Sequence, residues 1–340
     1  MAKWGGRKPQ AQTGTGGTGA TETPIDGPIA REINTDVELV FGDEVDDQSY
    51  THFATYGTQR SGKTRFPTTM PGITGLIPLD RNSVLTFRLM EKELGEFRFL
   101  YPKHKLIEAT ATREMTRLNR IATAAARKKE RTQQEIDATE AVKAHYAVVA
   151  DRIEDTLFTF CAREEVSNVA VDTGTLLYDT YTLAEFGRLE SNRQRNRGNL
   201  NNRMRDLFNG CNKNLVVIHQ PKEEWVKKAG AKDDEDRVST GRLVMDAWPQ
   251  TGLYVQGIIE HFKLQDRAEF SRFKANLAGV ETDRYGSVVD YVDALVAENG
   301  FPVFGMRVFD SQAQSRLTTE SGLLFNEDCR FEAVMELING

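Results

Sequence analysis

Short apolar runs that end on a glycine or an acidic residue recur along the chain, separated by longer stretches whose apolar positions fall three and four apart. The first, "YTHFATYG" (50–57), is rich in aromatic and β-branched side chains and predicts a strand ending at Gly57. "ITGLIPLD" (73–80) predicts a buried strand closed by Asp80, and "SVLTFRLMEKEL" (83–94) follows with helical spacing. Between Lys103 and Thr173 there is neither Gly nor Pro, and the run is rich in Ala, Glu, Arg and Lys, which predicts one or two long helices. "SNVAVD" predicts a second buried strand ending on Asp172, and "KNLVVIHQ" a third ending on His219 and Gln220. Further on, "GLYVQGIIEHFKLQDRAEFSRFKANL" alternates about the polar "QDRAE" as a hairpin does, and "GSVVDYVDALVAENG" is helical. Strands separated by helical stretches predict an α/β fold with a mainly parallel central sheet, whose functional edge lies at the strand carboxyl ends.

Composition narrows this picture without redirecting it. With 340 residues, 39% of them hydrophobic and 28% charged, the chain can bury a substantial core. A net charge of −6 gives no global attraction to nucleic acid, so any such contact must be local. Residues 1–35 are rich in Gly, Thr and Pro and poor in large apolar side chains, and are expected to form a flexible tail. Cys161, Cys211 and Cys329 are far apart in sequence and lack any CxxC or Cys/His grouping, which predicts reduced thiols rather than a disulfide framework or a zinc site. No stretch is apolar enough for a membrane span, and a cytoplasmic location is expected.

The chemistry concentrates at "GTQRSGKT", which matches G-x-x-x-x-G-K-[ST] after a predicted strand and before an expected helix. In such a loop Gly57, Thr58, Gln59, Arg60, Ser61 and Gly62 turn successive backbone N–H groups inward, the helix start adds partial positive charge, and Lys63 adds a full one. The expected ligand is ATP with Mg²⁺: Thr64 offers its hydroxyl to the metal, and Asp172, at the end of a neighbouring strand, offers the carboxylate. Lys63, Asp80 and Gln220 are the candidate catalytic side chains, with Asp80 placed either to activate water or to serve a structural or metal-shell role, and His219 competing with Gln220, the alternative for either being packing at the sheet edge. Arg60 reads as a solvent-facing side chain, the alternative being an internal cation that reaches the γ-phosphate. A guanine site of the N-K-x-D kind is missing, since "CNKN" precedes a strand and lacks the aspartate, so adenine is expected.

Taken in order, "YGTQRSGKT", "GLIPLD", "SNVAVDTGT" and "VVIHQPKEEW" resemble the RecA-like P-loop ATPases encoded by bacteriophages, including the single-strand-annealing recombination type, over roughly residues 50–265. The resemblance implies a RecA-like ATPase domain over 36–340. It assigns phosphate and magnesium binding to Lys63 and Thr64, the metal's acid to Asp172, and the coupling of ATP state to a DNA-binding loop to Gln220. It also implies a homo-oligomer with ATP near a subunit interface, replication or recombination partners of the phage, and a place in the host cytoplasm. Two departures stand out. Asn82 occupies the place where RecA-like recombinases carry a glutamate, and a helical insertion at about 103–165 exceeds the minimal core.

The segment 185–208 carries Arg188, Arg193, Arg195, Arg197, Arg203 and Arg205 against Glu185, Glu190 and Asp206, a local basic excess in an acidic chain. Arg188, Arg193, Arg195, Arg197 and Arg203 are the candidate contacts to single-stranded DNA. An arginine-rich face paired with a neighbouring subunit's acids is the competing reading. After Gln220, Lys227, Lys228, Arg237 and Arg242 are candidates to reach a neighbour's ATP. The expected function is therefore an ATPase of phage recombination or replication that binds single-stranded DNA, or else a nucleotide-gated assembly protein that oligomerises without DNA.

Overall fold

The computed structural model describes residues 50–80, 82–96, 98–103, 113–126, 128, 130–187, 197–227, 237–310 and 322–339. The expected tail at 1–35 lies outside them. In chain order the elements are β1 (His52–Gly57), a 3₁₀ turn (Phe66–Thr69), β2 (Ile73–Pro78), α1 (Ser83–Leu94), β3 (Phe99–Leu100), α2 (Arg113–Ala125), α3 (Gln133–Cys161) and β4 (Val166–Asp172). Then come α4 (Gly174–Phe186), α5 (Gly198–Asn209), β5 (Asn214–Ile218), β6 (Gln220–Lys227), β7 (Arg237–Asp246), β8 (Gly257–Leu264) and α6 (Arg267–Leu277). The chain closes with β9 (Glu281–Thr282), β10 (Gly286–Ser287), α7 (Val288–Asn299), β11 (Val303–Asp310), β12 (Leu323–Phe325), a 3₁₀ turn (Asn326–Asp328) and α8 (Phe331–Asn339).

Among the described residues the main sheet has the order β12-β11-β8-β1-β5-β4-β2-β3. Every neighbouring pair from β8 to β3 is parallel, and β11 and β12 extend the sheet antiparallel beyond β8. The parallel strands are apolar on both faces because both faces are covered. Ala54, Ile77, Val171 and Val217 point to a core closed by α3, α4, α5 and Trp248. Their neighbours Phe53, Leu76, Ala170 and Val216 point the other way, to Phe66, Phe87, Met306 and the α8 residues Phe331 and Val334. A smaller core gathers α6, α7 and the outer strands around Phe270, Val292 and Phe325.

Two expectations about local structure are corrected. "QDRAEFSRFKANL" is not the second arm of a hairpin: Asp266 accepts from the Ala268 and Glu269 N–H groups at 2.9 Å and caps α6, whose Phe270 and Leu277 are buried. The loop "GTQRSGKT" is followed by a four-residue 3₁₀ turn and not by a regular helix. Pro67 lacks an N–H, and Pro71 and Gly72 precede β2 directly, so the chain cannot extend a helix there.

The helical stretch expected as an insertion is two helices, and one of them belongs to the core. Thr132 and Glu135 form a reciprocal capping box at the start of α3. Its second half buries Val149, Ile153, Leu157 and Phe160 over the sheet, while α2 packs on α3. The Phe160 ring sits on Gly75 of β2, where a Cβ would lie 2.5 to 2.9 Å from ring carbons. Gly75→Val is expected to cost about 1–3 kcal/mol by displacing that ring, read as a lower urea midpoint. An unchanged midpoint would show that α3 does not need this close approach.

Candidate functional site

The loop after β1 is held from below. Gly57 pairs with His261 across β1 and β8, and any side chain on Gly57 would strike the His261 carbonyl and come within 2.7 Å of Ser61 Oγ. The chain then turns through Ser61 N–H to Thr58 C=O at 3.3 Å and Arg65 N–H to Gly62 C=O at 2.8 Å. Gly62, at φ 99°, has the left-handed backbone that glycine permits. Arg60 is also left-handed, at φ 61°, and its side chain is exposed. This agrees with the solvent-facing reading. The Lys63 ammonium donates to Thr58 C=O at 3.3 Å, across the mouth of the loop.

The acids come from the ends of adjacent strands. Thr55 of β1 lies level with Ile218 of β5, and Ile218 with Asp172 of β4, so one strand separates the loop's strand from the acid's. Two strand spacings place them about 10 Å apart. Asp172 is 6% exposed, and burial raises its carboxyl to about 6; a Ser83 hydrogen bond opposes this, Asp80 adds to it and Lys63 opposes it. Burial lowers the Lys63 ammonium, and Asp172 partly restores it. Asp80 accepts from Asn82 N–H at 2.8 Å, and its backbone N–H donates to Asp172 C=O at 3.1 Å.

These groups line one cavity of about 1540 Å³. Of the residues expected from the sequence, Gln59, Arg60, Ser61, Gly62, Lys63, Thr64, Asp80, Asp172 and Gln220 are on its wall, together with Asn82. Gly57 lies buried beneath the loop, and Thr58 supplies the carbonyl for Lys63. Gln220 is exposed at the start of β6, where its backbone N–H donates to Thr175 Oγ1 at 3.0 Å. His219 is withdrawn from the cavity wall: it is buried, with Nδ1 3.3 Å from Asp246 C=O. Ser83 and His261 are on the wall but were not picked out in sequence, because nothing in "IIEHF" distinguishes a histidine beneath a loop from one in any buried strand.

The arginine segment is not part of this cavity. Arg188, Arg193 and Arg195 lie outside the described residues. Arg197 stands at the start of α5, and Arg203 is turned into the fold, ion-paired with Asp151 and Glu154 of α3 and 4.9 Å from the Tyr181 ring. Its charge is met within the chain by two carboxylates. Lys227 and Arg237 face each other at the end of the β6–β7 hairpin far from Gln220, Arg242 is exposed on β7, and Lys228 is outside the described residues.

No protein-family model matches the chain, and no curated protein matches it either. Among the described residues no helix is long and apolar enough to cross a membrane, and no group of three or more His, Cys, Asp or Glu stands ready to hold a metal by protein ligands alone.

Burial pushes His261 down to about 3, with the Lys63 charge adding to the effect, and burial pushes His219 down to about 4. Unfolded histidine titrates near 6.5. Between these values the unfolded chain binds more protons than the folded one, so the stability tied to neutral histidine is fully present above about pH 6.5 and is lost as pH falls towards the folded values. His261→Gln should remove one such proton. The stability of the wild type relative to the variant is expected to fall by about 1.4 kcal/mol per pH unit between about pH 6 and 4, measured by urea unfolding. Parallel stability curves would show that His261 is not held neutral.

Proposed function

We propose that this chain is a Mg²⁺-dependent, RecA-like P-loop ATPase of bacteriophage type that binds single-stranded DNA in recombination or replication. In this reading it forms a homo-oligomer with ATP near a subunit interface and works with the replication or recombination proteins of the phage. The observation that carries the proposal is the placement of Lys63 and Asp172 on one cavity, at the carboxyl ends of two parallel strands with a single strand between them.

The loop's backbone N–H groups and Lys63 bind the phosphates, which supply the opposite charge that the partly buried ammonium lacks. With only a 3₁₀ turn behind the loop, the helix start contributes little, and the cradle relies on the loop N–H groups and Lys63. Thr64 and Asp172 would hold Mg²⁺, with Asp80 close by. A hard cation that takes few protein ligands and the rest from water and phosphate suits this oxygen-rich corner, where burial and the neighbouring Asp80 raise the cost of ionising Asp172. When bound, the metal neutralises charge on the phosphates during transfer. Asp80 and Gln220 are the side chains at hand to orient water.

A second reading, a nucleotide-gated assembly protein that does not bind DNA, is favoured by one feature. The β6–β7 hairpin leaves Trp225, Val226, Val238 and Leu243 exposed, and it starts at Gln220 on the cavity wall. Exposed apolar groups of this kind suit a protein surface.

Lys63→Ala is expected to weaken ATP binding about 10- to 100-fold with the fold intact, since one charge-assisted contact is lost. Asp172→Asn should leave binding within a few-fold and abolish most Mg²⁺-dependent hydrolysis. Calorimetry and a phosphate-release assay measure the two effects, and unchanged ATP affinity in folded Lys63→Ala would overturn the phosphate-loop reading.

The two functions part on DNA. If about four arginines of the segment meet phosphates of a single strand, log affinity falls against log salt with a slope of roughly −3. Replacing Arg193, Arg195 and Arg197 with Ala should flatten the slope by about 2. Anisotropy of labelled single-stranded DNA over a salt series reads this directly. Absence of salt-sensitive binding in every nucleotide state would overturn the DNA function and leave the assembly reading.

A further inference from the structure

We infer that the part of the cavity farthest from the phosphate loop is a nucleoside subsite, in which Phe304 stacks on a purine base and the Asn326 amide donates a hydrogen bond to it. The inference rests on the phosphate reading above and locates the rest of the nucleotide.

Size comes first. Small-molecule sites occupy roughly 300–1000 Å³, and this cavity, at about 1540 Å³, continues well past the loop to a wall built from β11, α7 and the 3₁₀ turn before α8. Register supplies the distance. Gly57 pairs with His261, and His261 with Met306, so Phe304 lies two residues beyond the end of β1, level with Lys263. Two residues along a strand and two strand spacings across put it about 12 Å from Gly57. A phosphate chain seated on the loop does not span that gap, whereas a nucleoside triphosphate does.

The side chains there suit a base. Phe304 is 37% exposed although it sits within a sheet strand, and the Lys263 ammonium lies 5.7 Å from its ring centre. Asn326 Oδ1 accepts from the Phe304 N–H at 3.0 Å, which fixes the carboxamide and leaves Nδ2 with no partner among the described residues. A stacking face and an oriented donor on adjacent positions match the π-face and ring-nitrogen acceptors of a purine.

Charge sets the direction. The loop end carries Arg60, Lys63 and Arg65 beside Asp80 and Asp172, while the wall around Phe304 carries Glu298 and Glu327. Phosphates are drawn to the first and repelled from the second, where carboxylates accept from ribose hydroxyls. The nucleotide therefore has one orientation.

The test compares ATP with inorganic tripolyphosphate, each with Mg²⁺, by calorimetry on the full chain. Phe304→Ala should weaken ATP about tenfold or more, as loss of a base–aromatic stack does, while leaving tripolyphosphate unchanged. Phe304→Tyr should restore ATP binding, and Asn326→Asp, which replaces the donor by an acceptor, should weaken ATP alone. Equal losses for both ligands in Phe304→Ala, or no loss for ATP, would overturn the subsite. If the wild type binds tripolyphosphate as tightly as ATP, the phosphate reading stands and the subsite falls. If the wild type binds neither, both fall.

Discussion

The cavity depends on one backbone approach. Gly57 ends β1 against the carbonyl of His261 on β8, and the space there admits no Cβ. Because β1 and β8 are locked together at this point, the chain leaves the sheet at a fixed height and turns over Ser61 instead of continuing as a strand. Everything that lines the cavity is placed relative to that exit: Lys63 above it, Asp172 two strands to one side, Met306 two strands to the other. A side chain at Gly57 would push β8 away and open the cavity on both flanks. The 3₁₀ turn after the loop is tied down separately, by the Phe331 N–H donating to Thr69 Oγ1 at 2.9 Å, which joins the loop to α8.

That arrangement leaves charge unresolved inside the protein. Lys63 and Asp172 are each held away from their charged forms by burial, and each partly restores the other. Asp80 works against Asp172. Such a corner is costly in the free chain, because partly desolvated charges are compensated only at a distance. A polyanion carrying a divalent cation would reverse both shifts at once, giving Lys63 its counter-charge and the two acids theirs. The buried Ser61 Oγ, without a hydrogen-bond partner among the described residues, lies in the same place. Stability foregone here is recovered in the doubly covered sheet, where Phe53, Leu76, Ile77 and Val216 are fully buried.

How much of this was legible depended on whether the signal was local. The strands β1, β2, β4 and β5 were readable because a parallel strand buried on both faces is a short, continuous apolar run with a polar stop, though β2 ends at Pro78 and β5 at Ile218, two residues before Asp80 and Gln220, and Gln220 opens β6. The loop was readable because its glycines and lysine are adjacent in sequence. What failed depended on local detail that periodicity hides: Pro67 and Pro71 stop the helix expected after the loop, and the Asp266 cap turns an apparent hairpin arm into α6. What was invisible depended on tertiary contact. Arg203 looked like one of a row of free cations until α3 brought Asp151 and Glu154 to it. Cys161 and Cys211, fifty positions apart, have sulfurs 3.7 Å apart. His261, Phe304 and Asn326 have no sequence pattern that marks them, since only the order β1-β8-β11-β12 carries them to the loop.

The same topology links the cavity to the hairpin. Gln220 and Asp246 pair at its base, and Thr175 Oγ1 accepts from the Gln220 N–H while donating to Asp246 C=O at 2.7 Å. Asp246 also accepts from Lys222 at 2.9 Å. Thr175 opens α4, three residues after Asp172. Both arms of the hairpin are therefore fastened to the turn after the buried acid by hydrogen bonds, with Met245 packing on the core beside them, while much of the arms stands exposed. The exposed arms that carry Trp225 and Arg242 thus start beside the turn that follows Asp172.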